Sequence, residues 1–170
     1  MPSRNGGLDP TDRRLLAALA QDGRATLQAL ADAVGLRRPS VHERVRKLEA
    51  AGVIRGYRAD LDPAALGAGL VAFATLRIAT SAKPGGDCLT TTEAVAKALR
   101  RVPEVLEFHS VAGTEDALVK LRVADMAALQ RLAMRELSAV PGVERVNTMV
   151  VLATHFERGV QVPLPRKGAA

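Results

Sequence analysis

The feature that most constrains the fold of this chain is an internal repeat in its second half. The segment LRRVPEVLEF at residues 99–108 resembles LSAVPGVERV at residues 137–146, and both place Val-Pro-x-Val between a helical pattern and a strand pattern. Proline ends a helix because it has no N–H and because its ring clashes with the preceding turn. The repeat therefore predicts two successive units of a helix followed by a strand.

A strand pattern precedes each copy of the repeat. Residues 70–78 (LVAFATLRI) precede a helix in which Thr90 and Glu93 make a capping box. Residues 117–123 (ALVKLRV) alternate apolar side chains and precede a helix capped by Asp125. The residues expected on the inward side of that helix are Met126, Leu129, Leu132 and Ala133. This order predicts a ferredoxin-like βαββαβ domain, an antiparallel sheet with two helices on one face.

The first half of the chain carries three helical patterns. Asp9 caps the first pattern, and Thr26 begins the second, which Gly35 ends. Pro39 lies at the start of the third pattern and Gly52 at its end. Three short helices with a glycine in the turn before the third match a helix-turn-helix domain. The fold class is therefore α+β, with a helix-turn-helix domain ahead of the ferredoxin-like domain.

The third helical pattern is strongly basic. Residues 37–47 hold five basic side chains and one acidic one, a net charge of +4, while Val41, Val45 and Leu48 share the apolar side. A helix fits the major groove of DNA, where arginine binds guanine edges and phosphates. A charge run is commonly only a solvated helix face, but the excess of one sign and the preceding turn favour DNA binding. The residues expected at the DNA are Arg37, Arg38, Ser40, His42, Glu43, Arg44, Arg46 and Lys47.

Composition narrows the class of partner. The net charge of +6 and the pI near 10.2 favour an anionic partner, and an aromatic content of 2% argues against base stacking on single strands. We therefore expect double-stranded DNA. No apolar run approaches the ~20 residues of a membrane span, and no signal-peptide pattern is present. We expect a cytoplasmic, nucleoid-associated protein with no membrane partner.

The sequence does not indicate catalysis. Cys88 is the single cysteine and has no metal-ligating neighbours, and we expect an ordinary loop thiol. His42, His109 and His155 are too dispersed for a metal centre or a catalytic triad, and we expect His109 to be a partly exposed strand residue. We predict that the protein is not an enzyme, and that it has no catalytic residue, metal or cofactor.

The first strand of the sheet predicts a self-association surface. Alternate side chains from Leu70 to Ile78 serve the helix side, which leaves Val71 and Phe73 on the opposite face. An exposed apolar sheet face is a liability unless another subunit covers it. We predict a homodimer through Val71 and Phe73. In this dimer the third helix of each copy, the recognition helix, meets one DNA half-site, and the two half-sites lie about one DNA turn apart.

The predicted domain boundaries follow from these patterns. Residues 1–52 form the helix-turn-helix domain, 53–69 a linker strand and hinge, and 70–155 the second domain. Residues 156–170 form a mobile tail, in which Arg166 and Lys167 add unspecific attraction to phosphates. The stretch TSAKPGGDCL lacks apolar spacing and is expected to be flexible.

Several of these segments together resemble the Lrp/AsnC family of bacterial and archaeal transcriptional regulators. The motifs span Leu8 to about Leu152 and read LDPTD, LLAALAQDGRAT, LADAVGL, PSVHERVRKLEAAGVIRGYRADLDPAALG, PEVLEFHSVAGTEDALVKLRV and PGVERVNTMVVL. The resemblance implies an N-terminal DNA-binding domain and a C-terminal domain for effector binding and oligomerisation. It also implies dimers that assemble further, often to octamers, and control by an amino acid or related small metabolite.

The resemblance further implies an effector site at an interface between dimers. The residues carried over to it are Gly113, Thr114, Glu115, Asp116 and, on the last strand, Thr148. On their own chemistry, Gly113 allows a ligand to approach the backbone closely and Asp116 can accept a hydrogen bond from an ammonium group. The same loop is equally readable as a plain hairpin turn.

Two positions depart from the family pattern. Arg37 stands where the family usually has serine before the recognition helix, which removes an N-cap worth roughly 0.5–2 kcal/mol. An added phosphate contact by Arg37 would offset this loss when DNA is bound. Ala117 stands where the family usually has an aromatic residue after the loop, which leaves the identity of the effector open.

Two functions remain open from the sequence. The first is a sequence-specific regulator whose DNA binding or assembly responds to a metabolite. The alternative is an architectural protein that coats or bends DNA with little effector control. Both use the same helix and the same dimer, so the effect of a metabolite on DNA affinity separates them. A metabolite-binding module for an enzyme is disfavoured by the fused helix-turn-helix.

Overall fold

The computed structural model describes residues 7–79 and 88–163, with the backbone alone for 88–90. The chain divides into two compact units. The first unit consists of residues 1–60 together with 156–170, and the second unit of residues 61–155. The first unit is therefore built from two separate segments of the chain.

Three helices make up the first unit: α1 (Pro10–Gln21), α2 (Leu27–Val34) and α3 (Arg38–Ala50). The predicted caps are confirmed. The Asp9 carboxylate accepts a hydrogen bond from the N–H of Asp12 at 2.7 Å, and the Asp12 carboxylate accepts one from the N–H of Asp9 at 3.2 Å. Thr26 accepts from the N–H of Ala29 at 3.1 Å, and Gly35 ends α2 with φ 69°. These local bonds satisfy backbone donors and acceptors that a helix end leaves without partners.

The two ends of α3 differ in how well they are capped. Arg37 occupies the N-cap position but makes no side-chain capping bond. At the other end Gly52 has φ 68°, its N–H donates to the carbonyl of Glu49, and the N–H of Val53 donates to the carbonyl of Leu48, both at 2.9 Å. This pair of bonds is the Schellman motif, which fixes where the helix stops.

A small apolar core holds the three helices together. Leu15 and Val41 are fully buried, and Leu30, Ala31 and Val34 are nearly so. Val45 packs against this cluster, as its spacing from Val41 predicts. The core thus fixes which side of α3 faces inward and which side remains exposed.

The predicted linker strand is wrong for the isolated chain. Residues 53–62 contain no strand, and within this stretch only Ile54 is partly buried. A strand requires a hydrogen-bonded neighbour, and no strand in the described ranges pairs with this segment. It therefore runs as exposed, irregular chain up to the turn at Pro63, whose carbonyl accepts from the N–H of Ala68 at 2.8 Å.

The second unit has the predicted ferredoxin-like topology. Its elements are β1 (Leu70–Ile78), α4 (Cys88–Leu99), β2 (Val105–Ser110), β3 (Ala117–Val123), α5 (Met126–Arg131), a π-helical turn (Leu132–Leu137) and β4 (Val143–Val150). The strand order is β2-β3-β1-β4, and every neighbouring pair is antiparallel. The helix α4 begins at Cys88, so Cys88 and Leu89 lie in a helix rather than in the flexible loop expected at 80–89, and Thr90 lies inside the helix rather than at its N-cap. The side chains of residues 88–90 and the whole of residues 80–87 are outside the described set.

The strand β1 alternates as predicted. Ala72, Ala74, Leu76 and Ile78 are buried in the core beneath the helices, whereas Val71 and Phe73 lie on the other face and are half-buried. β1 and β3 pair residue for residue, so their buried side chains share one face. The core of the second unit is therefore one layer between the sheet and its helices.

One expectation for α5 fails. Met126 is 56% exposed rather than inward, whereas Leu129 and Leu132 are buried as predicted. The helix continues as a π turn, in which the N–H of Ser138 donates to the carbonyl of Ala133, five residues back, at 3.1 Å. The wider turn brings Leu137 onto the buried side. Met126, in the first turn of α5, instead lines a groove beside β4.

The second copy of the repeat needs its glycine. Gly142 has φ 95°, and a Cβ at this position would lie 2.8 Å from Cγ2 of Thr91. Glu104 occupies the same place in the first copy of the repeat. Both backbone conformation and close packing therefore restrict residue 142 to glycine.

Candidate DNA interface and effector loop

The outward side of α3 is the candidate DNA interface. Val41 and Leu48 are buried, and Val41 lies in the core shared with α1 and α2, so the opposite side of the helix faces outward. Most of the predicted DNA-contacting residues are exposed there: Arg37, Arg38, Ser40, His42, Arg46 and Lys47. The structure thus brings these six side chains onto one helix, with Arg37 and Arg38 at its N-terminal end.

Glu43 lies between two of the basic side chains. Its carboxylate accepts from Arg46 at 3.2 Å and pairs with Lys47 at 3.7 Å. The hydrogen bonds from Arg46, together with its positive charge, lower the pKa of Glu43. Such exposed pairs contribute little to stability, so a phosphate can take over either cation at small cost.

Arg44 departs from the prediction. Its side chain turns toward the first turn of α1, where Nη1 donates to Asp9 at 2.5 Å and to Asp12 at 2.7 Å. The two carboxylates raise the pKa of Arg44. The sequence placed Arg44 on the DNA face because helical spacing alone cannot show a partner 35 residues away.

The predicted effector loop is tied to the sheet by Asp116. The Asp116 carboxylate accepts from the N–H of Ile78 at 2.8 Å, and its own N–H donates to the carbonyl of Leu76 at 2.9 Å. Val111 closes the loop by donating to the carbonyl of Asp116 at 3.0 Å. At least one oxygen of Asp116 therefore holds the β1 backbone, which differs from the ligand-binding role expected for it.

The carboxylate oxygen that could accept a hydrogen bond from a ligand, which the sequence predicted on Asp116, is found on Glu115. One of its carboxylate oxygens pairs with Arg145 at 3.3 Å, while the other, Oε2, is buried and has no hydrogen-bond partner within the described chain. A buried acceptor without a donor is costly. In the same loop, Gly113 has φ 157° and nothing lies within 4 Å of the place where a Cβ would stand.

Thr148 lies apart from this loop. It is on the helix side of the edge strand β4, in a groove of about 570 Å³ between that strand and the α5 region. Met126, Met134 and Val150 supply much of the apolar lining. Residues 113–116 do not line this groove, so a single chain does not bring the two parts of the predicted effector site together.

The outer face of the sheet is partly apolar and partly charged. Phe73 lies opposite Lys120 of β3 and Met149 of β4. Next to it, Glu107 pairs with His109 at 3.0 Å and with Lys120 at 3.6 Å. The hydrogen bond from His109, with the charge of Lys120, lowers the pKa of Glu107. Sequence alternation identified the apolar residues but missed this ion-pair cluster, because β2 contains a bulge that shifts its register.

No cluster of His, Cys, Asp and Glu that could hold a metal occurs among residues 7–79 and 88–163. His42 is on α3 and His109 is on β2, while His155 follows β4. Within the described part of the chain, no helix is both long enough and apolar enough to cross a membrane.

Two family models match the chain, one for each unit. A model for winged helix-turn-helix DNA-binding domains matches residues 8–55. A model for the Lrp/AsnC ligand-binding domain matches residues 88–161. These two stretches contain α3 and the 113–116 loop, respectively.

Whole-chain comparisons agree with the domain matches. An HTH-type transcriptional regulator of Pyrococcus horikoshii is 35% identical over 150 residues, which cover 88% of this chain and 93% of that protein. A transcriptional regulator of Neisseria meningitidis, solved with L-Met, has a TM-score of 0.83 and 30% identity, covering 93% of this chain and 97% of the other. A feast or famine regulatory protein of M. tuberculosis, complexed with L-methionine, has a TM-score of 0.81 and 35% identity, covering 92% of this chain and 100% of the other.

These relatives are regulators rather than enzymes, which confirms the expectation that the chain is not an enzyme. They give no support to a purely architectural role. The helix-turn-helix, the ferredoxin-like unit and the similarity over nearly the whole length have one explanation. The chain belongs to the Lrp/AsnC family of transcriptional regulators.

Proposed function

We propose that this regulator binds specific double-stranded DNA through α3 and that an amino acid, or a related small metabolite, controls its binding or assembly. The observation that carries the DNA part is the exposed side of α3. Among the described residues, Arg46 and Lys47 are held only by exposed pairs with Glu43. Arg37, Arg38, Ser40 and His42 are exposed on the same helix. DNA phosphates can replace such weak surface ion pairs at little cost. Exposed side-chain donors on a helix in the major groove can form hydrogen bonds with the base edges.

The effector part rests on Glu115. Its buried Oε2 has no donor among the described residues, and an ammonium group bound there would supply one. Gly113 and Thr114 belong to the same loop and lie next to it in sequence. The two similar regulators solved with L-methionine support an amino acid as the class of effector. Asp116 holds the loop in place through Ile78, and Glu115 receives the ligand.

Assembly completes the proposed site. Thr148 and the loop are separate in one chain, so we place Thr148 of one copy near the loop of another. Dimers form through the sheet face that contains Val71 and Phe73, and further assembly, to an octamer, joins the dimers. In this proposal residues 1–52 bind DNA, 53–69 form a linker that becomes a strand when a second copy pairs with it, and 70–155 bind the effector and oligomerise.

The test is a fluorescence anisotropy titration with the DNA upstream of the protein's own gene. A scrambled DNA of equal length is the control, and each titration is repeated with a pool of the twenty amino acids. Preference for the upstream DNA, together with a shift in Kd on adding the pool, is the expected result. Equal Kd values for both DNAs, unaffected by the pool, would instead favour the architectural alternative.

A pair of variants tests the effector loop. Glu115→Gln removes the charge from the buried carboxylate, whereas Glu144→Gln removes the charge from an exposed residue of β4. We expect Glu115→Gln to abolish the response to the amino-acid pool and Glu144→Gln to retain it. A full response in Glu115→Gln would assign the ammonium group to another acceptor.

A further inference from the structure

Arg44 links the recognition helix, α3, to the start of α1 through two hydrogen bonds. Its single nitrogen Nη1 donates to Oδ2 of Asp9 and to Oδ1 of Asp12. The side chain is only 35% exposed, in contrast to 67% for Arg46 and 72% for Lys47. Within the described ranges, Arg44 thus differs from the other basic side chains of α3 in having two partners outside its own helix.

The carboxylates that bind Arg44 also cap α1. Asp9 uses Oδ1 for the N–H of Asp12 and Oδ2 for Arg44. Asp12 uses Oδ2 for the N–H of Asp9 and Oδ1 for Arg44. Each carboxylate therefore divides its two oxygens between the helix cap and the arginine, and both oxygens of each are occupied.

This capping box has an electrostatic requirement that the usual form lacks. A common capping box pairs a neutral Ser or Thr with an acidic residue, so it contains one negative charge. Here Asp9 and Asp12 place two negative charges next to each other, and like charges at this distance repel. The guanidinium of Arg44 lies against both and neutralises the repulsion. The cap of α1 and the attachment of α3 consequently depend on each other.

We propose that Arg44 is a positioning residue, which locks α3 against the two-carboxylate cap of α1 and so sets the orientation in which α3 meets DNA, without itself contacting a phosphate. This inference rests on the proposed DNA-binding function. A phosphate contact would have to compete with two carboxylates already within 2.7 Å. These bonds hold the N-terminus of α1 and the middle of α3 in a fixed position relative to each other.

The first experiment compares Arg44→Ala with Arg46→Ala as a matched control on the same helix. Kd for the upstream DNA is measured at several salt concentrations. Arg46→Ala should reduce the slope of log Kd against log salt by about 0.9, the value for one lost phosphate contact. Arg44→Ala should weaken binding at every salt concentration with the slope unchanged. An equal fall of slope in both variants would make Arg44 a DNA contact and overturn the proposal.

A thermal double-mutant cycle tests the lock without DNA. Arg44→Ala should lower the Tm of the first unit by roughly 4–8 °C. Asp9→Ser keeps a capping oxygen but removes one of the two charges, so Arg44→Ala should lower Tm less in that background. Equal losses of Tm in both backgrounds would overturn the proposal. If Arg44→Ala does not fold, Arg44→Gln replaces it in the cycle, because the amide keeps hydrogen-bond donors but has no positive charge to offset the two carboxylates.

The two experiments separate this proposal from the proposed function. If the wild-type protein shows no preference for the upstream DNA, the DNA-binding function fails while the thermal cycle still tests the lock. If binding is selective but the cycle shows no coupling between Asp9 and Arg44, the lock fails while the function stands.

Discussion

Replacing Arg37 by serine should stabilise the recognition helix and weaken DNA binding at the same time. Arg37 has the extended backbone of an N-cap, with φ −79° and ψ 147°, but its side chain caps nothing. A serine hydroxyl there can accept from the N–H of Ser40, the third residue of α3, which in the present chain donates to the carbonyl of Arg37 at 3.0 Å. Pro39, the second residue of the helix, has no N–H to offer. Arg37→Ser therefore adds one capping bond and removes one exposed positive charge.

The magnitude follows from these two changes. Gaining an N-cap contributes about 0.5–2 kcal/mol, and we expect the lower half of this range because the N–H of Ser40 already has the carbonyl of Arg37 as an acceptor. For a unit of 60–100 residues each kcal/mol raises Tm by roughly 4–8 °C. Loss of one phosphate contact should lower the slope of log Kd against log salt by about 0.9.

Circular dichroism melting and salt-dependent anisotropy measure the two effects separately. Arg38→Ser is the matched control, because it removes the same charge one residue further on, where serine gains no N-cap. It should reduce DNA affinity without raising Tm. A Tm for Arg37→Ser at or below that of Arg38→Ser would refute the capping argument. An unchanged salt slope would remove Arg37 from the DNA interface.

Three further outcomes are expected. Gly142→Ala should destabilise the second unit by about 1–3 kcal/mol in urea unfolding, because φ at this residue is 95° and Cγ2 of Thr91 lies 2.8 Å from the added Cβ. An unchanged urea midpoint would show that the turn relaxes freely. Phe73→Asp should shift the sedimentation equilibrium from dimer toward monomer, whereas Leu152→Asp, at a 98% exposed position, should not. An intact dimer in both variants would place the interface elsewhere. The pKa of Asp9 is lowered below its ordinary 3.8, mainly by the hydrogen bond from the Asp12 N–H and then by Arg44. The contribution of Asp9 to stability is therefore complete above pH 3.8 and is lost as the pH falls through the lower pKa of the folded state. Acid melts of the wild type and Asp9→Ser should therefore converge at low pH, and parallel curves would contradict this.

Local signals made most of the fold predictable. Asp9, Thr26, Gly35 and Asp125 act on backbone groups within three or four residues of themselves, so the sequence fixes the helix ends without knowledge of the rest of the fold. The period-two pattern of β1 likewise separated the buried side from the side with Phe73. The exposed residues of α3 followed from the same reasoning, because the buried face of a helix determines the opposite one.

What the sequence did not show are interactions between distant parts of the chain. Arg44 lies on the polar side of α3 by its spacing, but its carboxylate partners are 35 and 32 residues away. The stretch after Gly52 has strand-forming residues without a strand to pair with. The role of Asp116 depends on Ile78, which reaches it only when the sheet forms. Periodicity describes an element's own faces and carries no information about such partners.

The tail also has contacts that the sequence did not indicate, while its mobility stays a prediction. Residues 156–163 belong to the first unit, where Arg13 donates to the carbonyl of Pro163 at 3.4 Å and Arg158 lies 5.1 Å from the ring centre of Phe156. The segment has no periodicity because it forms neither a helix nor a strand. Arg166 and Lys167 lie outside the described residues, and their attraction to phosphates stays a prediction.

The composition of the first unit changes how fragments of this protein should be interpreted. In covalent order the second unit is an insertion between Asp60 and Phe156 of the first unit. A fragment that stops at Asp60 discards residues 156–170 together with the second unit, so its failure to bind DNA would not show that the second unit is needed. Joining residue 60 to residue 156 through a flexible glycine and serine linker would remove the second unit alone. Dissection of regulation in this chain therefore calls for an internal deletion rather than a truncation.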